Sequence, residues 1–500
     1  MKIKILIIIL FLCSDCKAMP LDEMFTTVSN IEGKANKSNI VYVRSIYDLR
    51  SSTDKYPNGS IIKTTNGFWG ISSEELVYVV DDKYKDNPTA ICVSNSFLMP
   101  VFSNQIANVK YYGAIGNWKS NVIKSKLSLS EAKKMYINND ISADDEIDFL
   151  AIRKGLENQS AYSVFIPYGG YKVNRTLWIK KTGTIVRGDG IKTQIDATKD
   201  FTLFSLNKGL SNVTITSLKL SSIYIKIGMI GTSSSKECIN ANQCTSCTFD
   251  NLVIMGFNKG IYCGSNSWIT KCQDLVFRFC NVGIEANGEF NASIIDKVEA
   301  TYCNVGMYLG QGRSIIVTRS LLELNNKGIH LTNKFSGEIS STYFERNSGY
   351  DIDIHWGMNP CLDVVIERNS FFGGSTKKEN SFISIRANEE SRIVISNNYF
   401  SNWYKGEMPQ LYGVKFVTEK KGLNVVVNSN HINMITDVVA DYHKDFCKIY
   451  NYNHCCKGNS KQRPKNLGIN DAGFYFYDVT INKPIWWNGV EWMDSVGNKM

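Results

Sequence analysis

From residue 245 onward the sequence repeats a short phrase in which a polar turn precedes a glycine, an apolar residue and a residue of another type. The copies read NKGIYC, NVGIEA, NVGMYL, NKGIHL and NSGYDI, and their glycines lie at spacings of 23, 23, 22 and 21 residues: Gly260, Gly283, Gly306, Gly328 and Gly349. Before each glycine lies a second segment, such as LVIMGF or LVFRFC, with apolar residues at every second position. That period is the period of a β-strand.

Each copy therefore predicts two or three short strands joined by Asn, Gly and Ser turns. The copies are too short for helical crossovers and too regular for a sandwich, so we predict that they coil and stack, each strand about 4.8 Å above the last. Looser copies, VTITSLKL, VVIERNSFF, IVISNNYF and VVVNSNHI, extend the stack past ten turns. The predicted fold class is all-β: a right-handed parallel β-helix, a single-stranded solenoid with a pitch of 21 to 23 residues.

The outward side chains of such a coil line a groove along the stack. Taking the residue after each glycine and apolar pair as outward predicts a row, which alternation extends by two residues: Tyr262, Glu285, Tyr308, His330, Asp351, Asp353 and His355. Neighbours on this row are about 5 Å apart and next neighbours about 10 Å. We predict catalytic roles for Glu285, His330, Asp351 and Asp353, and substrate-binding roles for Tyr262, Tyr308, His355, Trp356 and Arg346.

Two chemistries fit this row. A pair of carboxylates at these spacings suits glycoside hydrolysis. A His or Tyr base, with an Arg or Lys that neutralises a uronic carboxylate, suits a lyase. Ordinary solvated positions explain each residue singly as well, because outward strand residues are usually polar.

A second group of outward charges lies one strand earlier and alternates in sign: Glu299, Glu323, Glu345 and Glu367 with Arg278, Arg319, Arg346 and Arg368. Mutual pairing of surface charges explains this group without a substrate.

Composition narrows the function classes. The 500 residues are 43% apolar and 12% aromatic, enough for a large core. The net charge of +9 is spread without a Lys/Arg block, so we predict no nucleic-acid partner, whereas an acidic polysaccharide is compatible. Cys244 and Cys247 form an isolated CxxC, so we predict neither a metal nor a cofactor. Cys280 and Cys303 occupy equivalent repeat positions and are predicted to be buried thiols.

The N-terminus is typical of a secretory signal over residues 1–18, with Lys2 and Lys4 before an apolar run. A buried first strand or a phage tail-attachment segment is the alternative. If the signal is cleaved, the mature chain is exported and carries no integral membrane segment.

Four segments before the coils resemble the start of the pectate-lyase-like β-helix in phage tailspikes and related depolymerases: VKYYGAIGN (109–117), ADDEIDFLAIRKGL (143–156), VFIPYGGYKV (164–173) and IVRGDGIKTQI (185–195). The resemblance implies a helix near 144–156 that caps the coil. Asn117 departs from the usual acidic residue, and about 25 residues before Asp144 are predicted to be an insertion.

The end of the chain, residues 462–500 with KPIWWNG, resembles a terminal module of phage tail proteins. Trp486, Trp487 and Trp492 are predicted either to stack on sugars or, as we favour, to bury against neighbouring subunits.

These patterns predict a signal at 1–18, a small β-rich domain at 19–108, the β-helix at 109–457 and the aromatic module at 458–500. The resemblance implies a homotrimer that cleaves a bacterial surface polysaccharide, such as capsule, exopolysaccharide or O-antigen. Two alternatives stay open: a glycan-binding spike or adhesin without catalysis, and a secreted pectate-lyase-like enzyme outside a virion. The location is accordingly secreted or cell-envelope if the signal is cleaved, and otherwise the virion tail.

Overall fold

A computed structural model describes most of the chain, in ranges separated by short gaps: residues 40–65, 75–87, 89–102, 105–138, 140–158, 161–332, 334–355, 363–373, 381–386, 391–402, 412–417, 423–433, 437–440, 447–452, 456–463, 467–469 and 472–500. The predicted signal at 1–18 lies outside the described residues. None of the helices within these ranges is long and apolar enough to cross a membrane.

The chain divides into two compact units, with the boundary between Val101 and Phe102. The first unit holds a five-stranded sheet in the order β1-β2-β3-β5-β4. Only β1 and β2 pair in parallel. Its elements are β1 Ile40–Val43, α1 Ile46–Ser51, β2 Ile61–Thr65, β3 Glu75–Val80, a 3-10 turn at Asp82–Tyr84, β4 Ile91–Val93 and β5 Ser96–Pro100.

The second unit begins with the elements that precede the coil. They are β6 Ile106–Asn108, 3-10 turns at Val109–Tyr112 and Ile123–Ser125, α2 Leu129–Met135 and α3 Ile147–Glu157. The predicted insertion thus contains a helix of its own, α2, which begins with a capping box between Ser128 and Glu131. The predicted capping helix is α3. Its buried residues are not confined to one apolar face, since Phe149 and Ile152 are buried as well.

A buried carboxylate ties α3 to the turn at Ile115 and Gly116. Asp148 accepts backbone hydrogen bonds from Ile115 at 2.5 Å and from Gly116 and Lys172 at 3.2 Å. Burial raises the pKa of Asp148 to about 6 in spite of these bonds. Burial also lowers the pKa of nearby Lys110 to about 8. The Gly-Ala-Ile-Gly phrase is therefore a structural junction at the start of the coil.

The coil itself is built from short parallel strands. They are β7 Ser163–Phe165, β8 Gly169–Val173, β9 Leu177–Ile179, β10 Ile185–Arg187, β11 Thr193–Ala197, β12 Phe204–Leu206, β13 Thr214–Ser222, β14 Glu237–Asn240, β15 Thr248–Met255, β16 Lys259–Cys263, β17 Lys271–Arg278, β18 Val282–Glu289, β19 Ile294–Thr301, β20 Val305–Thr318, β21 Leu321–Glu323, β22 Lys327–Leu331, β23 Phe335–Ser340, β24 Tyr343–Glu345, β25 Ile352–His355, β26 Asp363–Glu367, β27 Ser370–Gly373, β28 Ser381–Arg386, β29 Arg392–Ser396, β30 Tyr399–Asn402, β31 Tyr412–Phe416, β32 Leu423–Asn428, β33 His431–Asn433, β34 Asp437–Ala440 and β35 Cys447–Tyr452.

These strands form three parallel ladders, one strand of each per turn, which confirms the predicted parallel β-helix. Sheet 1 contains β7, β10, β23, β26, β29, β32 and β35, and sheet 2 contains β8, β11, β21, β24, β27, β30 and β33. Sheet 3 contains β9, β12, β14, β16, β18, β22, β25, β28, β31 and β34. Strands β13, β15, β17 and β19 continue from sheet 1 into sheet 2, and β20 runs from sheet 3 into sheet 1.

The predicted pitch holds only in the middle of the coil. On sheet 3 the register steps are 22 or 23 residues from Asn240 to Asp353, whereas the next two steps, to Ser384 and Lys415, are 31 residues each. Loops between strands lengthen a turn without disturbing the pairing of the strands.

The repeating glycines stack on one another. A Cβ atom on Gly283 would lie 2.5 Å from the carbonyl oxygen of Gly306, and Gly260, Gly306 and Gly328 are as tightly placed against the next turn. The position that follows Gly328 in this stack belongs to Asp351, because the Cβ of Gly328 would meet the Asp351 carbonyl oxygen. The prediction that Gly349 is the fifth glycine of the stack is therefore wrong.

The interior is apolar and stacks side chains of one kind from turn to turn. Phe344, Phe371 and Phe400 stack with ring centroids 4.8 Å apart and planes within 8° and 11° of parallel. Cys280 and Cys303 are free, fully buried thiols, as predicted. Such like-on-like stacking follows from the parallel register, because each side chain meets its equivalent one strand away.

The terminal module is a four-stranded sheet of β36 Cys456–Gly458, β37 Tyr475–Asp478, β38 Lys483–Trp487 and β39 Trp492–Asp494, with a 3-10 turn at Ser460–Gln462. Trp492 is buried beside Phe476 and Ile485, and Trp487 packs against this core. Trp486 instead contacts Tyr475 at 5.7 Å between ring centroids. Two of the three tryptophans thus pack inside the module itself, whereas we expected them to pack against other subunits.

Candidate functional site

The structure brings most of the predicted row together on sheet 3. Register pairs link Tyr262 to Glu285, Glu285 to Tyr308, Tyr308 to His330, and His330 to Asp353. We call these five residues the sheet 3 row. Neighbouring side chains on it are in contact, since the rings of Tyr308 and His330 lie 5.2 Å apart.

Asp351 is not on the sheet 3 row, and its predicted outward position is wrong. Its side chain is fully buried and accepts a hydrogen bond from Asn347 Nδ2 at 2.7 Å. The register step from His330 to Asp353 is the usual 23 residues. The glycine of NSGYDI lies only 21 residues after Gly328, so counting from that glycine selects Asp351, two residues before the true row position.

Asp353 is the centre of a small charged network. Its Oδ2 accepts hydrogen bonds from Lys327 Nζ at 2.5 Å and His330 Nδ1 at 2.9 Å. Burial alone would raise the pKa of Asp353, but these two bonds and the nearby positive charge outweigh burial and hold the pKa at about 2. The ionised carboxylate therefore fixes the proton of His330 on Nδ1.

Glu285 is neutralised in the same way. Lys259 Nζ lies 2.9 Å from its Oε1, and Asn287 donates to the same oxygen at 2.8 Å. Glu285 and Asp353 are three strand steps apart, or about 14 Å at the usual strand spacing. Hydrolases hold their two carboxyl groups about 5 to 9.5 Å apart, so Glu285 and Asp353 are too far apart to act together as such a pair.

The remaining predicted residues fall in different places. His355 contacts His330 at 6.3 Å between ring centroids, and burial, followed by the charge of Arg386, lowers its pKa. Arg346 lies at the end of sheet 2, where its Nε binds Glu345 Oε1 at 2.9 Å. Trp356 lies outside the described residues.

The second charged group resolves into a more specific arrangement on sheet 2. Glu323 and Glu345 are register partners on adjacent strands, and we call them the sheet 2 glutamate pair. Glu299 lies on the next row of the same sheet, opposite Leu321, whereas Glu367 belongs to sheet 1. The group is therefore not one continuous row.

Most of these acids are ion-paired, as the surface-charge interpretation predicts. Glu299 binds Arg278 at 2.9 Å, Glu345 binds Arg346, and Glu367 binds Arg368. Glu323 differs, because within the described ranges it has no hydrogen bond or ion pair.

The two members of the sheet 2 glutamate pair have different surroundings. Burial raises the pKa of Glu323 above its ordinary value, the charges of Glu345 and Glu299 add to the rise, and Arg346 opposes it. Glu345 instead accepts a hydrogen bond from the Tyr343 hydroxyl at 2.9 Å in addition to its bond from Arg346. Burial and this bond raise the pKa of Tyr343 to about 12. The pair thus combines a carboxyl group with a raised pKa and a carboxyl group that is bonded by an arginine and a tyrosine hydroxyl.

Sequence reasoning missed the lysines that neutralise the sheet 3 row. A signal for them exists, because Lys259 and Lys327 each directly precede a repeating glycine, in NKGIYC and NKGIHL. Sequence reasoning also assigned Glu323 to the paired surface charges. Which acid Arg319 and Arg346 bind depends on the direction of their side chains, and the sequence does not show that direction. Arg319 binds Asp296.

No protein-family model and no curated protein matches this sequence. The structure is similar to that of full-length tailspike protein 2 from the Escherichia coli O157:H7 bacteriophage CAB120, with a TM-score of 0.55 and 14% identity over 82% of this chain and 54% of that one. It is also similar to the enzymatically active domain of tailspike protein 2 from bacteriophage CBA120, with a TM-score of 0.52 and 12% identity over 87% of this chain and 60% of that one. The chain thus spans little more than half the length of these proteins. At such identities the likeness is one of fold, and the chain has the β-helix fold of phage tailspike proteins.

Proposed function

We propose that this protein hydrolyses glycosidic bonds in a bacterial surface polysaccharide, such as capsule, exopolysaccharide or O-antigen, at the sheet 2 glutamate pair. The observation that carries the proposal is the contrast between Glu323 and Glu345 on adjacent strands. Two neighbouring carboxyl groups in unlike surroundings often take different roles, one as acid and one as nucleophile or base. The β-helix fold, shared with tailspike proteins, supports a long polymer as the substrate.

The roles follow from the surroundings of each glutamate. Glu323, with its raised pKa, donates a proton to the glycosidic oxygen as the bond to the anomeric carbon breaks. Glu345, which is held by hydrogen bonds from Arg346 and Tyr343, attacks that carbon as the nucleophile. Adjacent strands lie about 4.8 Å apart, near the 5 to 5.5 Å of retaining glycosidases, so we propose a glycosyl-enzyme intermediate. Water then releases the sugar, with Glu323 as the base that takes its proton.

Incubation with a panel of capsular polysaccharides tests the reaction. Falling viscosity with new reducing ends and no ultraviolet absorbance from unsaturated uronates is the expected result. Unsaturated products would assign the chemistry to elimination, with His330 on the sheet 3 row as the base, and would refute hydrolysis. Intact polymer that sediments with the protein would favour the glycan-binding spike or adhesin.

Two substitutions test the site. Glu323→Gln and Glu345→Gln should each lower the rate of cleavage by about 10²-fold or more. Glu338→Gln is the matched control, because Glu338 is an outward glutamate on sheet 1, and it should keep the parent rate. Full activity in either pair variant would remove the glutamates from the mechanism.

We further propose the homotrimer that the tailspike resemblance implies. Its location is the virion tail if residues 1–18 are retained, and the secreted or cell-envelope fraction if they are cleaved. Light scattering coupled to gel filtration measures the number of subunits, and mass spectrometry of the protein from its native source measures the N-terminus. A monomer in solution would contradict the trimer.

A further inference from the structure

The row of outward side chains on sheet 3 is longer than the five residues described above. Register pairs extend it over ten consecutive strands, each with a polar or aromatic side chain: Trp178, Ser205, Asn240, Tyr262, Glu285, Tyr308, His330, Asp353, Ser384 and Lys415. At the usual strand spacing this row is about 43 Å long.

Sheet 1 shows that such a row is not a general consequence of the fold. None of the ten positions on sheet 3 is aliphatic, whereas six of the ten on the corresponding row of sheet 1 are: Ile185, Ile294, Ile316, Val365, Val394 and Val426. Both rows follow the same coil, so the sheet 3 composition reflects something beyond solvation of a strand surface.

We propose that the extended sheet 3 row is a binding track for a linear polysaccharide, distinct from the cleavage site on sheet 2. The track holds the polymer parallel to the axis of the coil. The choice of a polysaccharide as ligand rests on the proposed function, but the track itself needs no cleavage.

The side chains of the track are held in place before any ligand binds. Lys259 Nζ lies 4.1 Å from the centre of the Tyr262 ring while it pairs with Glu285. Thr332 donates to the Tyr308 hydroxyl at 3.3 Å. Binding to such a surface loses little side-chain entropy, which favours affinity for a weakly interacting, hydroxyl-rich chain.

The charges of the track indicate the chemistry of its ligand. The acids in its centre are neutralised and recessed, with side chains 12% exposed at Glu285 and 8% at Asp353. A row of this kind offers hydrogen bonds without net charge, which suits sugar hydroxyls. Near its C-terminal end the track carries two cations, Lys415 on the row and Arg386 two residues after Ser384, and an acidic sugar fits this positive charge.

Affinity electrophoresis tests the track separately from cleavage. Native gels are cast with capsular polysaccharide, O-antigen, alginate or dextran, and the parent protein is Glu345→Gln, which does not consume the polymer. Adding Tyr308→Ala and His330→Ala to this parent should weaken its retardation roughly 20-fold in apparent affinity, through the loss of at least two hydrogen-bonding groups. Adding Thr214→Ala, an outward change on sheet 1, should leave the retardation unchanged.

The outcomes separate the track from the proposed cleavage. If the Glu345→Gln parent is retarded while the wild type cuts no polymer, the hydrolase proposal fails and the track stands. If the variants with Tyr308→Ala and His330→Ala are retarded as strongly as the parent, the track is refuted, even if the wild type cleaves the polymer. Thermal unfolding checks that each variant is folded. If the alanine pair does not fold, the milder pair Tyr308→Phe and His330→Gln is used for the same comparison.

Discussion

Replacement of Asn325 by Ala should destabilise the coil strongly, because this buried side chain completes the hydrogen bonding of two backbone groups. Asn325 Oδ1 accepts from the Cys303 amide at 2.8 Å, and its Nδ2 donates to the Ala300 carbonyl at 2.8 Å. The next turn repeats the arrangement, since Asn347 accepts from the Asn325 amide at 3.0 Å and donates to the Leu322 carbonyl at 2.8 Å.

The magnitude follows from the two groups that would lose their partners. A buried polar group without a hydrogen bond costs about 1 to 3 kcal/mol, so Asn325→Ala should lower the free energy of unfolding by about 4 kcal/mol. The neighbour Asn326 provides a matched control. Its partly exposed amide bonds two other side chains, Asn304 at 3.1 Å and Ser348 at 3.4 Å, and Asn326→Ala should change the free energy by about 0.5 kcal/mol or less.

Guanidinium unfolding followed by circular dichroism measures both variants. The comparison uses the shift of the midpoint at unchanged slope, since a changed slope would signal loss of cooperativity in so long a coil. Equal midpoints for Asn325→Ala and Asn326→Ala would refute the role assigned to the asparagine ladder.

Three further predictions concern the coil. Gly283→Ala places a Cβ 2.5 Å from a backbone oxygen and should lower the midpoint of thermal unfolding far more than Gly190→Ala, whose Cβ meets nothing within 4 Å and adds only backbone strain. Because the folded pKa of Asp353 is about 2, below its ordinary value, its ionisation stabilises the fold above about pH 4, and this contribution is lost as the pH falls toward 2. Between pH 4 and pH 2 the free energy of unfolding of Asp353→Asn should therefore fall less than that of the wild type, as measured by denaturant titration at each pH. An equal fall in both proteins would contradict the charged network around Asp353. The thiols of Cys280 and Cys303 should react with Ellman's reagent only at the rate of unfolding, whereas rapid labelling of the native protein would show that the core opens locally.

The sequence was sufficient to predict the coil because its repeat specifies both the strand period and the turns. Every glycine of the stack except the last was placed correctly, since each is required by the close approach of the next turn. The fifth position failed for a physical reason. Asp351 occupies the glycine position there, 23 residues after Gly328, whereas the glycine of the NSGYDI phrase comes two residues earlier and lies outside the stack.

Side-chain partners were harder to predict than positions. The alternation that placed His330 and Tyr308 on one row says nothing about which lysine reaches which carboxylate. Lys327 and Lys259 neutralise the acids of that row, Asp353 and Glu285, and the repeat spacing gives no sign of either pairing. The partner of a long flexible side chain depends on local geometry, which the spacing of residues in the sequence does not specify.

The sheet 2 glutamate pair shows how the parallel register brings like charges together. In a β-helix every outward side chain lies about 4.8 Å from its equivalents on the two adjacent turns, so two acids at one position repel one another unless a cation intervenes. Burial raises the pKa of Glu323, and its two acidic neighbours, Glu345 and Glu299, add to the rise. Arg346 forms its ion pair with Glu345 and only partly opposes the rise at Glu323. Replacing Glu299 by Gln should therefore lower the pKa of Glu323 without touching it. If Glu323 is the general acid, the alkaline limb of the pH profile for cleavage should move to lower pH in Glu299→Gln. An unmoved limb would show that the alkaline limb does not report the ionisation of Glu323.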